Sequence, residues 1–427
     1  MMQALLEARE WRAQRQKELL AQYRKPVICF TMNIAGPEKY NSLIRQGFSI
    51  GCRRLLAQFP RILHWTAHPE DTGCVGFFVV DVPAEEVKAV CVQLEEADAL
   101  GRLFDLDVLE ETGRKLERNR PRQCLLCDED ARICARNRTH GLDAVIAKTN
   151  AILAEAVAEE KAKKIASAAV RGLLYEVCVT PKPGLVDCEN SGSHSDMDIF
   201  SFLDSASVLQ PYFHRCARIG MESDTDRLSR LRFAGRQAEA DMWRATEGVN
   251  THKGAIFSLG LACAAAGSVA GWSYQAILDE CGKLCQGICE RDFASLTEET
   301  ATSHGELLYA KYGLTGVRGQ AEAGFPTVRK AIPVLDEGWE LGVHRAGAAT
   351  LLHLLRDTED TSFIARSDPS VWNQIRQELR VLLEETPYPD TETLRRWNDR
   401  FVAQNLSPGG CADLLAMCFF LHFIHCN

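Results

Sequence analysis

Residues 73–109, GCVGFFVVDVPAEEVKAVCVQLEEADALGRLFDLDVL, decide the class of the first part of the chain. GCVGFFVVDV (73–82) is a short apolar run rich in β-branched and aromatic residues, which predicts a buried strand. EEVKAVCVQLEEA (85–97) then spaces its apolar residues as a helix does, and RLFDLDVL (102–109) returns to strict alternation. Toward the N-terminus, PVICFTMNI (26–34) predicts another buried strand ending at Ala35-Gly36-Pro37. Arg61 to Trp65 predicts a further strand, and residues 4–22 a charged amphipathic helix. The expectation is a mixed α/β domain over residues 1–150.

Toward the C-terminus the strand signals fade. Residues 141–175 read as helix, EEKAKK within it suits a join between domains, and helical periodicity continues between glycine and proline loops at 180–193, 313–326 and 405–410. An all-α second domain is expected over residues 160–427. Ala255 to Trp272 is apolar enough to raise a membrane span, but its alanines and glycines predict a helix packed closely inside a soluble bundle.

Bulk properties agree with two ordinary domains. A chain of 427 residues exceeds what one core organises, and 46% hydrophobic with 25% charged residues is a globular composition. The net charge of -9 disfavours nucleic acid as a partner and makes any phosphate site a local one. Seventeen cysteines, an odd number behind a start (MMQALLEAREWRAQRQ) that lacks a secretory apolar core, predict a reducing, cytoplasmic setting.

Three patterns in the first domain carry chemistry. Alternation in RLFDLDVL sends Asp105 and Asp107 to one face of a strand, with alpha carbons about 6.6 Å apart at a rise of roughly 3.3 Å per residue. That pair suits Mg²⁺ bound to a nucleotide's phosphates, or is simply two solvated carboxylates. Arg114, Lys115, Arg118, Arg120, Arg122, Arg132, Arg136 and Arg138 crowd one short span, and the planar guanidinium fork matches phosphate. Within the same span, Cys124, Cys127, Cys134 and His140 form a candidate Cys₃His zinc set; the bland reading is cysteines buried as small hydrophobes.

In the second domain, TPKPGLVDCENSGSHSDMDIF (180–200) is a proline- and glycine-shaped loop carrying Lys182, Asp187, Asn190, His194, Asp196 and Asp198. A helix starting near Asp196 would set His194 and Asp198 within one turn, fit to grip a metal or a sugar. In GVNTHKGAIFSLG (248–260), Thr251 is the expected N-cap, leaving His252 and Lys253 at the positive end of a helix suited to a triphosphate. TGVRGQAEAGFPTVRK (315–330) adds Arg318 and Glu322. SPGGCADLLA (407–416) adds Asp413 in the first turn of the last helix, where it serves a site or merely complements the dipole.

NIAGPEKYN (33–41), GRLFDLDV and RQCLLCDEDARICARNRTH (122–140), in that order, resemble the citrate lyase holo-acyl-carrier-protein synthase family over residues 5–145. TPKPGLVD with GSHSDMD, then GVNTHKGAIFSLG, GVRGQAEAGFP and SPGGCADLLA, resemble the triphosphoribosyl-dephospho-coenzyme A synthase family over residues 165–427. The second resemblance implies that the ribose 2′-hydroxyl of 3′-dephospho-coenzyme A displaces adenine from ATP. The first implies that a serine of the citrate lyase acyl carrier subunit then takes up the phosphoribosyl-dephospho-coenzyme A group and releases pyrophosphate.

The resemblances distribute roles as follows. Asp105 and Asp107 would bind Mg²⁺, while Lys39, Arg102, Arg136 and His140 would contact phosphate or move a proton. In the synthase, Asp196 and Asp198 would serve as base and Mg²⁺ ligands. Lys182, Lys253, Arg318, Glu322 and Asp413 would contact substrate, and His194 and His252 would protonate or orient. The family pattern has glutamate where Gln320 stands. Two alternatives are the equivalent maturation of malonate decarboxylase, and a first domain that only binds the carrier.

Overall fold

The computed structural model describes residues 2–425, which divide between Glu159 and Glu160 into two compact units. The boundary falls inside EEKAKK.

The first unit is a four-stranded antiparallel sheet with helices on both faces. Helix α1 (Met2–Tyr23) precedes β1 (Val27–Met32), α2 (Ser42–Gln58), β2 (Ile62–Glu70), β3 (Gly73–Val80), α3 (Ala84–Glu96) and β4 (Phe104–Leu109), with strand order β2-β3-β1-β4. Ile28, Phe30, Phe78, Leu106 and Val108 share one core with Ile44 and Phe48 of α2 and Val87, Cys91 and Leu94 of α3. Val27, Cys29, Phe77 and Val79 pack against Leu19 and Leu20 of α1 on the other face. Covering both faces is why GCVGFFVV reads as a continuous apolar run, although its side chains alternate between two cores.

β4 keeps the alternation of its sequence: Phe104, Leu106 and Val108 are buried, while Asp105 and Asp107 face the α1 side opposite Thr31 and Cys29 of β1. Beyond β4 the chain forms a bridge between Gln123 and Asp130 and then the short helix α4 (Ala131–Asn137). Arg138 adopts φ 50°, the left-handed conformation uncommon for a residue with a side chain, and so turns the chain back at the end of α4.

The second unit is helical. The 37-residue α5 (Leu142–Cys178) contributes its second half to this unit, followed by α6 (Ile199–Met221), α7 (Arg227–Ala245), α8 (Lys253–Ser268) and a series of helices ending with Gly409–His425. α8 is the apolar stretch noticed in the sequence, and residues 258–267 are buried throughout. It packs so closely on α6 that a β-carbon on Gly220 would stand 1.9 Å from the Ala264 carbonyl oxygen. Small residues permit that approach, which explains a helix of modest hydropathy at the centre of a core. Among the described residues, no helix is long and apolar enough to cross a membrane.

Two expected local details differ. α6 starts at Ile199, with Asp198 as its N-cap in a capping box with Ser201, so the helix does not begin near Asp196. α8 starts at Lys253 with His252 as N-cap, and Asn250 Oδ1 accepts from the Lys253 N–H at 3.3 Å, so Thr251 is not the cap. The cap residue His252, at φ -129° and ψ 22°, makes no side-chain cap hydrogen bond.

Candidate active sites, one in each unit

In the first unit a cleft of about 1430 Å³ is walled by the end of α3, the start of β4 and the segment from Arg118 to Val145. Glu95 is its buried anchor. One Glu95 oxygen accepts from the Leu106 N–H at 2.8 Å and meets the Arg122 guanidinium at 2.5 Å, and the other lies 3.3 Å from Arg118. Burial raises this carboxyl above the usual range, opposed by Arg122. Arg122 also reaches Asp105 at 2.9 Å and the Phe104 carbonyl at 2.8 Å.

The arginine cluster therefore divides by task. Arg118 and Arg122 are neutralised by carboxylates, and Arg102 donates to the carbonyls of Gln123 and Cys124. Arg120, Arg132 and Arg138 line the cleft, are exposed, and have no ion-pair partner among the described residues. They are the guanidinium groups free to meet an anion. Sequence reading placed Arg136 with them, but it does not line the cleft. Lys39 lies elsewhere, beside Thr31 and Cys74, with Nζ donating to the Ile34 carbonyl at 2.6 Å.

Asp105 lines the cleft, and its Oδ2 is 3.4 Å from the Thr31 hydroxyl; Asp107 does not, and is paired with Lys115 at 2.7 Å. Cys124, Cys127, Cys134 and His140 converge at one end, their ligand atoms all within 4.8 Å of one another. Burial raises the Cys124 thiol, but N–H groups of Leu126 and Cys127 donate to it and leave it below its ordinary value.

The second unit holds a cavity of about 680 Å³ between α5, α8, the 180–197 loop and the start of the C-terminal helix. Glu176, near the end of α5, forms a 2.5 Å ion pair with Lys182, and both side chains are almost wholly buried. Burial raises the Glu176 carboxyl, opposed by Lys182. His252 is buried with Nδ1 2.6 Å from the Ser205 hydroxyl and Nε2 without a partner; burial pushes it down to about 3, so the ring is neutral.

Asp413 is not in the first turn of its own helix but one turn further in, where it meets the start of α8 and accepts from the Ala255 N–H. Burial, with Glu176 and Asp360 as neighbouring charges, raises its carboxyl well above the ordinary range. Glu176 has a cation to offset burial and Asp413 has carboxylates, so Asp413 is the member that keeps its proton.

The 180–197 loop is stitched in place by its own side chains. Asp187 accepts from the N–H groups of Lys182, Glu189 and Asn190 at 2.7–3.0 Å. The Arg366 guanidinium donates to the Ser193 carbonyl at 2.8 Å and lies 3.2 Å from His194 Nδ1, whose Nε2 is 2.8 Å from the Ser407 hydroxyl. Because arginine only donates, Nδ1 accepts and Nε2 carries the hydrogen, which makes His194 a neutral clamp. Burial, then Arg366, lowers its pKa accordingly.

Lys182, His194, Asp196, His252, Lys253 and Asp413 line this one cavity, drawn from segments more than two hundred residues apart. Asp198, Arg318 and Glu322 do not line it. Asp198 is occupied as N-cap, Arg318 pairs with Asp292 at 2.9 Å, and Glu322 accepts from the Gly287 N–H at 2.6 Å. Gln320 does line it, accepting from the Thr327 hydroxyl at 2.9 Å. Sequence reading missed Glu176, Asp360 and Arg366. Glu176 sits in an otherwise helical pattern, and only the oddity of an acid in the apolar context LLYEVCV signals it.

Comparison with known proteins matches the two units separately and the chain as a whole. Residues 1–156 match the family model for apo-citrate lyase phosphoribosyl-dephospho-CoA transferase, and residues 162–427 that for ATP:dephospho-CoA triphosphoribosyl transferase. Protein CitXG of Haemophilus influenzae is 36% identical over 451 residues, covering 99% of this chain and 96% of that protein. Its namesake in Leuconostoc mesenteroides subsp. cremoris is 35% identical, covering 98% and 96%. The 2-(5''-triphosphoribosyl)-3'-dephosphocoenzyme-A synthase of Klebsiella pneumoniae is 40% identical over 274 residues, 61% of this chain and 90% of that protein.

Proposed function

Because the chain belongs to the ATP:dephospho-CoA triphosphoribosyl transferase family, joined as in the CitXG proteins to an apo-citrate lyase phosphoribosyl-dephospho-CoA transferase, we propose a division of labour between its two sites. The chain is a bifunctional transferase that matures citrate lyase. Its second unit makes 2′-(5″-triphosphoribosyl)-3′-dephospho-coenzyme A and adenine from ATP and 3′-dephospho-coenzyme A. Its first unit transfers the phosphoribosyl-dephospho-coenzyme A group to a serine of the apo acyl carrier subunit and releases pyrophosphate. The full-length match to CitXG proteins carries this conclusion.

In the synthase cavity the ribose 2′-hydroxyl oxygen forms a bond to C1′ of ATP's ribose as the C1′–N9 bond breaks; the hydroxyl loses one proton and adenine gains one. Asp413, kept protonated by burial, gives its proton to the departing adenine, and the proton released by the hydroxyl restores Asp413 to its acid form. The unpartnered Nε2 of His252 accepts the hydrogen bond of the attacking hydroxyl. The Glu176 carboxylate, kept charged by Lys182, stabilises the oxocarbenium-like centre. Lys253 and Arg366, both at the cavity wall, hold the triphosphate.

In the transferase cleft, Arg120, Arg132 and Arg138 bind the phosphates, and displacement at the α-phosphorus then depends mainly on positioning and charge. Asp105 and Asp196 fit a Mg²⁺ role, since each offers a carboxylate at its cleft and Mg²⁺ takes one or two such groups with substrate phosphates. When bound there, the ion would neutralise phosphate oxygens. Asp107 and Asp198 do not fit, because neither lines its cavity; Asp107 pairs with Lys115 and Asp198 caps α6. We place the protein in the cytoplasm, where its sixteen described free thiols stay reduced.

The test is mass spectrometry of the apo acyl carrier subunit after incubation with the full chain, ATP, 3′-dephospho-coenzyme A and Mg²⁺, with free adenine followed in parallel. Carrier modification with adenine release is expected. Adenine alone would remove the transferase assignment, and neither product would remove both.

A further inference from the structure

We infer that Cys124, Cys127, Cys134 and His140 bind one structural zinc ion, and that this ion fixes the arginine segment that walls the transferase cleft. Cys127 Sγ lies 3.5 Å from Cys134 Sγ and 3.2 Å from His140 Nε2, and all four ligand atoms fall within 4.8 Å of one another. A tetrahedral zinc with bonds of roughly 2.3 Å to sulfur and 2.0 Å to nitrogen sets its ligand atoms roughly 3.5–3.8 Å apart. The four side chains therefore already bracket a space of the right size, although their sequence spacing of two, six and five residues is irregular.

The site is closed. Three cysteines and one histidine complete four-coordination and leave no position for substrate, which marks a structural rather than a hydrolytic zinc. Cys124 and Cys134 are buried, and N–H groups of Leu126 and Cys127 donate to the Cys124 sulfur, the kind of outer support that holds a thiolate ligand. His140 Nε2, as a ligand atom, has no free lone pair for proton transfer, so His140 is not a catalytic residue on this assignment.

The segment needs such a post. Residues 117–141 contain, as regular structure, only α4 and the Gln123–Asp130 bridge, and much of their surface is exposed. Arg132 lies between Cys127 and Cys134 in the chain, and Arg138 between Cys134 and His140. Closing those intervals on a metal sets where both guanidinium groups stand, because binding free energy of the metal becomes folding free energy of the loop. The zinc assignment stands on side-chain geometry alone, whereas its consequence for carrier modification rests on the transferase reading.

The experiment uses the full chain, expressed with zinc and purified under reducing conditions without chelator. One zinc per chain is expected by elemental analysis, with three sulfurs and one nitrogen around it by X-ray absorption. Cobalt exchanged for zinc should show thiolate-to-cobalt charge-transfer bands that Cys134→Ser and His140→Ala weaken or abolish. Substoichiometric metal in the unaltered protein, with no cobalt bands after full reduction, would overturn the site whether or not the variants fold. Stripping the zinc is expected to abolish carrier modification from supplied intermediate and leave adenine release unchanged. Undiminished carrier modification by zinc-free protein would overturn the structural role. An unaltered protein that binds zinc but never modifies the carrier would sink the transferase reading and leave the zinc site standing.

Discussion

The carboxylate of Asp413 lies over the first turn of α8, so close that a β-carbon on Gly254 would stand 1.9 Å from its Oδ2. Gly254 is thus the residue that lets one helix place an acid against the beginning of another. Substituting Gly254→Ala should displace Asp413, at an overpacking cost of about 1–3 kcal/mol. Adenine release should fall by at least about tenfold, while transfer to the carrier from supplied intermediate stays unchanged. Equal loss of both activities would point to global unfolding and reject this account.

Asp413→Asn keeps the shape and removes the proton. Loss of a general acid is expected to lower adenine release by roughly 10²–10⁴-fold. Stability should move the other way. A carboxyl whose folded pKa is raised favours the fold fully only below its unfolded pKa, and that contribution is lost as pH rises toward the folded value. The variant should therefore melt no lower than the parent at neutral pH and gain on it as pH rises. Thermal melts across pH, beside an adenine assay, check both.

His252 predicts the opposite edge of the pH range. Its pKa falls from 6.5 to about 3 on burial, so the unfolded chain binds its proton first as pH drops through that window. Parent stability should decline across it, and His252→Gln should remove part of that decline while reducing adenine release. Parallel melting curves for parent and variant would contradict a buried neutral histidine.

Arg138→Ala should weaken use of the triphosphoribosyl intermediate by the transferase, seen as a fall in kcat/KM of about tenfold or more, because it removes an unneutralised guanidinium from the cleft. Arg136→Ala, outside the cleft, should change it little. A larger effect from Arg136 would reverse the assignment.

Much of this protein was written locally in its sequence. Periodicity identified β1, β3, α3 and β4, because strands and helices repeat their apolar residues at different intervals wherever a core must be covered. The alternation of RLFDLDVL placed both aspartates on one face of β4, and the ordered motifs of each half named the two families. Tertiary structure alone decided which of those residues meet. Asp105 reaches the arginine cleft while Asp107 turns to Lys115, and Asp196 stays at the cavity while Asp198 caps α6. Glu176, marked in the sequence only by its apolar surroundings, becomes the partner of Lys182, and Asp413 is kept protonated by burial beside Glu176 of α5 and Asp360, the N-cap of the helix Thr361–Arg366. Spacing along a chain reports which face a side chain takes. Burial, charge and proton occupancy depend on whatever other segment packs against that face, and here those segments lie far apart in sequence.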